Sequence, residues 1–563
     1  MARRSIPLKG ASLVIAGALA LSACSILPGG DDPKPKAKAT PSESKALPST
    51  DWKTATPADV SRGGDLRLAV PALPANFNPQ HADGATSDAA TILGPTSGGA
   101  VRITTNGGWR VDTDYASSVK VTDERPLTIQ VKLNRKAVWQ GGTSITSKDM
   151  VAFWKAQNGD DKDFVVSSTE GYEDIAEIKT GDDPFAYEVV FSEPTAEWPN
   201  YIYPRLPAKV SKSDKLYNRG FTKTAPSSNG PFMVTTIDAK TGTVTEKPNP
   251  RWWGKKPKLT SIVWRTASPE LQAKAYAADG LDAINLDATT YASGRKHGMI
   301  QQVAGTEWSQ LTLNGARGPL KVANVRRAVA QAIDREEIAR AVAKAFGLKG
   351  VSLGSLVYVP GQRGYVDSSE SIAYNPAKAK RLLAKAGYKP GSDGVMRRKG
   401  KKLALTLPVP AETPANVQRA EAIKRDLKLV GITVLLKTVP AEDFFSANVI
   451  TLNFDIVTFA WSASAFPIAT ARPRFNPIDS SQNFTGLAND KVDDAFAQAS
   501  ETLDDSLRFT RVARLDRRIF SKPSMIPLSV TPLVMAVRKD LRNYGAAQFE
   551  QPDWTIVGFV KES

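Results

Sequence analysis

The sequence contains one cysteine, Cys24, and two histidines, His81 and His297. A single cysteine excludes an intramolecular disulfide, and two histidines exclude a histidine-rich zinc site. Catalytic triads that use histidine as the base have few options for the same reason. One Gly-x-Ser-x-Gly match, Gly350 to Gly354, has the spacing of a hydrolase nucleophile elbow. The low counts of cysteine and histidine nevertheless argue against thiol chemistry, zinc hydrolysis and serine hydrolases that use a histidine base.

Two other catalytic motifs are present only in part. A Ser-x-x-Lys match, Ser42 to Lys45, falls in a polar tract where nothing would desolvate the lysine. The stretch from Gly394 to Lys402 suggests a phosphate loop, but its spacing is one residue too long, and Lys402 stands where Ser or Thr should bind magnesium. Pairs of carboxylates stay open, because 57 acidic residues always allow chance spacings. We expect a protein that is not an enzyme and that needs no metal and no cofactor.

The apolar run near the N terminus is too short to cross a bilayer, which needs roughly 20 apolar residues. It follows Arg3, Arg4 and Lys9 and ends at Leu21-Ser-Ala-Cys24. This order is typical of a secretory signal peptide, and Leu-Ser-Ala-Cys resembles a bacterial lipobox. We therefore expect residues 1–23 to be removed and Cys24 to be diacylated, which would anchor the protein at the outer face of the cytoplasmic membrane. The alternative is an ordinary signal peptide with a buried cysteine nearby.

Acidic residues are fewer than basic ones, 57 against 74, and the net charge is +17. Removing residues 1–23 takes away three basic residues and leaves +14. Outside the membrane, this charge suggests attraction to anionic lipids or wall polymers. The alternative is a basic surface that is simply solvated. No nucleic acid is expected as a partner, because the basic residues are scattered and the compartment is wrong.

The composition of residues 24–61, rich in Pro, Lys, Ala, Ser and Thr, predicts a disordered tether. After Gly63-Gly64, alternation of apolar and polar residues predicts strands, most clearly at 127–133. Thr146-x-x-Asp149 predicts a helix that opens with a capping box. Residues 526–537 are mostly apolar and predict one returning strand.

Helical spacing of apolar residues begins at Asn324, which we predict as an N-cap. A second predicted helix is capped by Asn375 and ended by Gly387, and a third runs from Pro414 to Gly431. The alternation of these helices with strands favours an α/β fold.

Eight stretches, taken in chain order, carry a family resemblance. They are Gly63-Gly-Asp-Leu-Arg67; Leu133-Asn-Arg-Lys-Ala-Val-Trp139 with Thr146-x-x-Asp149-Met-Val151; Asn229-Gly-Pro-Phe232; Asn249-Pro-Arg-Trp-Trp-Gly254; Asn314; Val325-Arg-Arg-Ala-Val-x-x-Ala-Ile-Asp-Arg335; Tyr374-Asn-Pro-x-x-Ala-x-x-Leu-Leu-x-x-Ala-Gly-Tyr388; and Phe454-Asp-Ile-Val457. Together they resemble the extracytoplasmic solute-binding proteins of ABC importers, family 5, the peptide- and nickel-binding class, here as an actinobacterial lipoprotein.

The resemblance implies a two-lobed α/β fold of the periplasmic-binding-protein type (type II, cluster C) with a small inserted third domain. Members of the family close over a peptide or other small ligand and deliver it to an ABC permease complex. We expect this chain to act as a monomer with those partners. The implied boundaries are 62–108, 228–312 and 522–563 for lobe I, 109–227 for the inserted domain, and 313–521 for lobe II.

One position departs from the peptide binders of the family, which commonly carry Trp-x-x-Asp after the Phe-Asp strand. This chain has Trp461-Ser-Ala-Ser464, so Ser464 replaces the carboxylate that pairs with a peptide's amino terminus. A neutral hydroxyl would leave a buried ammonium group unpaired. An ordinary oligopeptide is therefore in doubt. Some actinobacterial lipoproteins that resemble this family serve envelope glycolipid synthesis (phosphatidylinositol mannosides or lipoglycan), and this alternative stays open.

The candidate ligand contacts come partly from the resemblance and partly from position. Trp461 with Ser464 and Phe466 forms the first group, because aromatic side chains supply sequence-tolerant contact area. A second group lies where the first strand ends, where ligand loops of α/β folds tend to sit. A third group lies at the predicted crossing into lobe II. For each the alternative is a structural residue of the core or hinge. The second and third groups are Phe77 and Asn78, and Trp308 and Asn314.

Overall fold

The structure is a computed structural model, and it describes residues 47–478 and 480–561. Cys24, the predicted signal peptide and most of the predicted tether lie outside the described residues. The first part of the described chain contains, in order, β1 (Asp65–Val70), α1 (Ser87–Leu93), β2 (Val101–Ile103), β3 (Trp109–Val111), β4 (Ala116–Glu124), β5 (Leu127–Leu133), α2 (Ser147–Gln157), β6 (Ile175–Thr180), β7 (Ala186–Phe191), α3 (Ala208–Ser211) and α4 (Asp214–Arg219).

The middle part continues with β8 (Phe232–Asp238), β9 (Thr243–Pro248), β10 (Ser261–Thr266), α5 (Pro269–Ala277), β11 (Ala283–Asn285), α6 (Tyr291–Gly294), β12 (Met299–Val303) and β13 (Glu307–Leu313). The last part contains α7 (Ala323–Ala332), α8 (Arg335–Lys344), α9 (Pro376–Lys385), β14 (Lys389–Pro390), β15 (Met396–Arg398), β16 (Lys401–Lys402), β17 (Ala404–Pro410), α10 (Pro414–Leu429), β18 (Thr433–Val439), a π-helix (Phe444–Val449), β19 (Ile456–Ser462), α11 (Pro467–Ala471), α12 (Asp490–Ser500), α13 (Asp505–Ser521), β20 (Met525–Val530), β21 (Leu533–Val537), β22 (Leu541–Arg542) and β23 (Gly558–Phe559).

Two four-stranded sheets enclose one hydrophobic core. Their strand orders are β1-β10-β9-β8 and β4-β5-β7-β6, and only the β1–β10 pair within them is parallel. The alternation that predicts β5 is real, because Leu127, Ile129, Val131 and Leu133 are all buried. We call the core that these strands share the first core; its residues come from 66–303 and from 535–557.

A second core forms between 308 and 530. It contains the antiparallel sheet β19-β13-β20 and the parallel pair β17–β18, which helices cover. The helix predicted from Pro414 to Gly431 is present as α10 (Pro414–Leu429), which buries Ala420, Ile423 and Leu427. Val417 has the same helical spacing but is exposed. Helix α9 is likewise confirmed: the Asn375 side chain caps it by accepting the Lys378 N–H.

The chain passes between the two cores twice. It leaves the first core after β12 and enters the second with β13, and it returns between β20 and β21. The single strand predicted for 526–537 is therefore wrong: β20 pairs with β13, whereas β21 pairs with β11 and β12. Pro532 lies at the break, and a proline has no N–H to continue a ladder. Two cores joined by two crossings give the two-lobed α/β fold; the exact lobe boundaries stay predictions.

The start of α7 also differs from the prediction. The helix begins at Ala323, so Val322 rather than Asn324 occupies the N-cap position, and no side chain caps it. A short 3-10 helix, Gly318–Lys321, leads directly into α7. The Arg326 side chain stabilises the junction between the 3-10 helix and α7 by donating to the Leu320 carbonyl at 2.8 Å. Among the described residues, no helix is both long enough and apolar enough to cross a membrane.

Candidate functional site

The candidate site begins at the end of β19, where Trp461 lies directly opposite Trp308 of β13. Because side chains alternate along a strand, Phe459 shares the face of Trp461. The Trp461 ring stacks on Phe484 at 6.1 Å with an interplanar angle of 10°, and it meets Phe459 at 5.2 Å and 64°. Aromatic side chains therefore cover this end of the sheet. We name as the aromatic cluster Phe444, Phe445, Phe459, Trp461 and Phe484.

Arg474 places a positive charge against this wall. Its guanidinium carbon lies 4.5 Å from the centroid of the Trp461 ring and 5.5 Å from that of Trp308. The residue closes a short 3-10 helix, Arg472–Arg474, and is only 5% exposed. Burial lowers the pKa of Arg474 to about 10, so the side chain is still a cation at neutral pH.

The loop that follows β19 carries Ser464 and Phe466. The Gln362 side-chain amide donates to the Ser464 carbonyl at 2.8 Å, and the Phe466 N–H donates to the Ser464 hydroxyl oxygen at 3.1 Å. The hydroxyl of Ser464 therefore stabilises the loop itself. Phe466 precedes α11 and lines a cavity of about 50 Å³, which Trp109 and Glu197 line from the other side.

Glu197 connects α11, the helix that follows this loop, to the first core. Its two carboxylate oxygens accept the N–H groups of Ile468 at 2.7 Å and Ala469 at 2.8 Å. Ile468 belongs to the second core, whereas Trp198, the neighbour of Glu197, belongs to the first. Burial raises the pKa of Glu197 to about 7, although both N–H bonds act in the opposite direction.

A second carboxyl group, Glu170, interacts electrostatically with both Glu197 and Arg474. Burial raises the pKa of Glu170 to about 7, the negative charge of Glu197 raises it further, and the charge of Arg474 lowers it. The site thus combines apolar rings, a buried cation and two carboxyl groups that are partly protonated at neutral pH. Such a mixture suits binding of a solute that is in part apolar and in part charged.

The structure brings four of the predicted contacts together and places three elsewhere. Trp308, Trp461, Ser464 and Phe466 share one end of the second core. Asn314 lies beyond the opposite end of β13, where its amide donates to the Leu452 and Phe454 carbonyls at 3.2 and 3.1 Å.

Phe77 and Asn78 lie with the first core. Phe77 is 1% exposed and packs inside it, and Asn78 is 0% exposed. The Asn78 amide donates to the Tyr217 carbonyl at 3.1 Å and accepts the Gln80 N–H at 3.1 Å. The capacity of Asn78 for hydrogen bonds is thus used within the protein. As ligand contacts, all seven residues stay predictions.

Sequence reasoning missed Arg474, Glu170 and Glu197. No motif spacing marks them, because the three come from segments that meet only in the folded chain. The one available signal was indirect: Arg472-Pro-Arg474 places two cations a short distance after the Trp461 loop.

A larger hollow, of about 900 Å³, lies on the outer side of α2 and shares no lining residue with the candidate site. It is lined by Lys148, Trp154 and Phe164 among others, and it is an open depression in the surface. Within residues 47–478 and 480–561, no group of three or more His, Cys, Asp or Glu is arranged to hold a metal ion.

The two cores, the two crossings between them and the aromatic cluster beside the second core are typical of a two-lobed ligand-binding protein. Residues 110–483 match the family described as bacterial extracellular solute-binding proteins, family 5 Middle. The chain belongs to this family, as the sequence resemblance implied.

Three comparisons are informative. The oligopeptide-binding protein OppA of Mycobacterium tuberculosis is 31% identical over 512 residues, which cover 90% of this chain and 86% of OppA. The solved structure of the periplasmic EDTA-binding protein EppA superposes with a TM-score of 0.82 at 23% identity, over 92% of this chain and 99% of EppA. The probable monoacyl phosphatidylinositol tetramannoside-binding protein LpqW of M. tuberculosis is 25% identical over 264 residues, covering 45% of this chain and 39% of LpqW.

Proposed function

We propose that this chain is a lipid-anchored solute-binding protein of an ABC importer and that it captures a peptide-like or other extended solute between its lobes. The observation that carries the proposal is the family match together with 31% identity to OppA over 90% of the chain. The Leu-Ser-Ala-Cys24 motif supports the anchor. The protein would act as a non-catalytic monomer that hands its solute to the permease.

The geometry suggests how capture would work. The ring of Trp461 and the aromatic cluster offer apolar contact area that tolerates different side chains. The two crossing segments are short, and hinge closure needs only a few residues to absorb the backbone change. Glu197 already bonds the first core to α11, so the two lobes meet close to Phe466, which directly precedes that helix. A solute held there would be enclosed from both sides.

The proposal is tested with protein that has been unfolded, dialysed and refolded to remove bound solutes. A cognate solute should raise the melting temperature, because binding stabilises the folded state by RT ln(1 + [L]/Kd), about 2.7 kcal/mol at 100 Kd. The probes are pools of di- to nonapeptides and of glycans, measured by thermal unfolding. Flat melting curves across every pool would count against solute capture.

Replacing Trp461 with Leu should weaken solute binding about tenfold, because a ring that contacts the solute is lost. Trp252→Leu is the matched control, since Trp252 is also half-buried but its indole N–H donates to the Lys255 carbonyl in another part of the chain. Both variants should be destabilised by lost packing, so the comparison uses the solute-induced shift rather than the melting temperature itself. Equal affinities for both variants would remove Trp461 from the site.

A second candidate function is binding of an envelope glycolipid or regulation of its synthesis. The partial likeness to LpqW and the serine at position 464 favour it. A deletion strain would separate the two functions. Normal peptide uptake with altered phosphatidylinositol mannosides supports the second candidate, and impaired uptake with an unchanged envelope supports the first.

A further inference from the structure

Among the described residues four arginines are buried, and one of them differs from the rest. Nε of Arg474 is buried without a hydrogen-bond partner, and within the described chain its guanidinium forms no ion pair. The other three donate to protein oxygens: Arg326 to the Pro523 carbonyl at 2.9 Å, Arg335 to the Leu353 carbonyl at 2.7 Å, and Arg419 to the Thr458 hydroxyl at 2.7 Å.

A buried cation without an acceptor is expensive. Desolvation of a charged group costs several kcal/mol unless hydrogen bonds and an opposite charge compensate for it. The faces of Trp308 and Trp461 compensate in part, since a guanidinium over a tryptophan ring is attracted by its π-electrons. The N–H groups of a guanidinium point outward in its own plane, however, so the ring faces above and below do not accept hydrogen bonds from them. The N–H donors of Arg474 therefore have no acceptor in the described chain.

Those donors have the geometry of an oxyanion receptor. A guanidinium presents its N–H groups as a planar fork that matches two oxygens of a carboxylate or phosphate. The two tryptophans restrict the rotation of this plane, so little rotamer entropy is lost when an anion binds. Glu170 is the acidic group whose charge acts on Arg474, but it forms no ion pair with it among the described residues.

We propose that Arg474 is the receptor for an oxyanion group of the solute, either a carboxylate or a phosphate. This inference rests on the proposed function and adds a chemical class to it: the captured solute carries at least one negative group at the Trp461 end of the site. Ser464 has no carboxylate that could pair with an ammonium group of the solute, whereas Arg474 has a cation that can pair with an anionic group of the solute. The recognised end of the solute is therefore negative.

The test compares matched solutes on the refolded full chain by thermal unfolding. One pool contains tri- to nonapeptides with free C-terminal carboxylates, and a second contains the same peptides as C-terminal amides. Two further pools, dicarboxylates and sugar phosphates, separate the sources of the oxyanion. The free-carboxylate pool should bind about 100-fold more tightly than the amide pool, because truncating one partner of a buried charge pair has effects of this order.

Three variants assign the effect to the residue. Arg474→Met should lose the preference for the free carboxylate, and its melting temperature without solute should be equal to or above that of the parent, because an unpaired cation has been removed. Arg472→Gln is the control: it removes a charge from the same 3-10 helix, but Arg472 is paired with Asp493 at 2.7 Å. It should keep the preference. Should Arg474→Met not fold, Arg474→Lys keeps the charge without the fork and should weaken oxyanion binding alone.

The outcomes are distinct. A purely structural Arg474 predicts a lower melting temperature for solute-free Arg474→Met and an unchanged preference, which overturns the inference. Equal binding of free and amidated peptides by the parent protein overturns the inference and leaves the proposed function in place. Dicarboxylates or sugar phosphates that act through Arg474 while no peptide binds support the inference and refute the peptide part of the proposed function. If no oxyanion-bearing pool stabilises the parent, the inference is refuted whatever neutral solutes do.

Discussion

Glu246 carries the most isolated carboxyl group among the residues that the structure describes. It is 0% exposed in β9, opposite Ile262 of β10 and Val234 of β8. Neither of its oxygens has a partner of good hydrogen-bond geometry within the described chain, and the indole N–H of Trp264, which acts on the pKa of Glu246, has none either. Burial raises the pKa of Glu246 well above its usual range, so the group is held in its neutral form. A carboxyl in the first core is thus a source of pH-dependent stability.

Glu246→Gln should change how stability depends on pH. The folded pKa is raised, so the contribution of the neutral group is complete at acidic pH and is lost as pH rises between the unfolded and folded pKa values. In that window the parent protein should lose up to about 1.4 kcal/mol per pH unit relative to the variant. Denaturant unfolding at a series of pH values measures this. Glu177→Gln, at an exposed position of β6, is the control, and its unfolding free energy should depend on pH in the same way as that of the parent.

Single-residue chemistry was the hardest level to predict from sequence. The loss of a carboxylate at Ser464 could be recognised because one position was compared with a family pattern. Arg474, Glu170 and Glu197 could not, because their properties arise from burial and from neighbours brought in by other segments. Glu246 shares the buried face of β9 with Val244, but its full burial depends on packing that no local pattern shows.

At the scale of elements, local signals worked where a helix or strand is specified by its own residues. The capping box of α2 is present, with the Asp149 carboxylate accepting the Thr146 N–H at 2.8 Å. The same was true of α9 and of β5. Local signals failed at β20 and β21, because apolar character continues through the crossing and only the pairing partners change.

Thr146→Ala should destabilise the protein by about 1 kcal/mol, the usual cost of losing an N-cap side chain. Asp149→Ala should cost more, because Asp149 also accepts the Ala208 N–H at 2.7 Å and so joins α2 to α3. Denaturant midpoints of the two variants test this order. A smaller effect for Asp149→Ala than for Thr146→Ala would contradict the role given to Asp149.

At the scale of the whole molecule, the two lobes are joined by backbone crossings and by the bonds of Glu197. In the folded chain the pKa of Glu197 is about 7, above the ordinary value near 4.3, because burial outweighs the two N–H bonds, so proton binding favours the folded state. This contribution is complete below the ordinary pKa and is lost as pH rises through about 7.

Glu197→Gln should therefore flatten the fall in unfolding free energy between about pH 5 and pH 8, since an amide has no proton to lose. The amide oxygen can still accept one of the two N–H bonds, so the variant should fold. Calorimetric unfolding at several pH values gives the comparison, with Glu193→Gln at a nearby exposed position as control. An unchanged slope in Glu197→Gln would show that burial of this carboxyl does not contribute to the pH dependence of stability.

The two-lobed fold was predictable mainly because many weak motifs occurred in the order of one family. Periodicity alone indicated an α/β lobe and an N-terminal set of strands, but not that the chain crosses twice between cores. Crossings depend on which strands pair over long sequence distances, such as β13 with both β19 and β20. That information is tertiary and leaves no local pattern.

The central claim is that this chain holds one solute between two lobes. Native mass spectrometry of protein purified from its source cells, without denaturant, measures this directly. The account predicts a mass excess that corresponds to one small molecule per chain, that disappears on unfolding and refolding, and that returns when a pool of oxyanion-bearing solutes is added. A bare chain mass at every stage, in all pools, would contradict it.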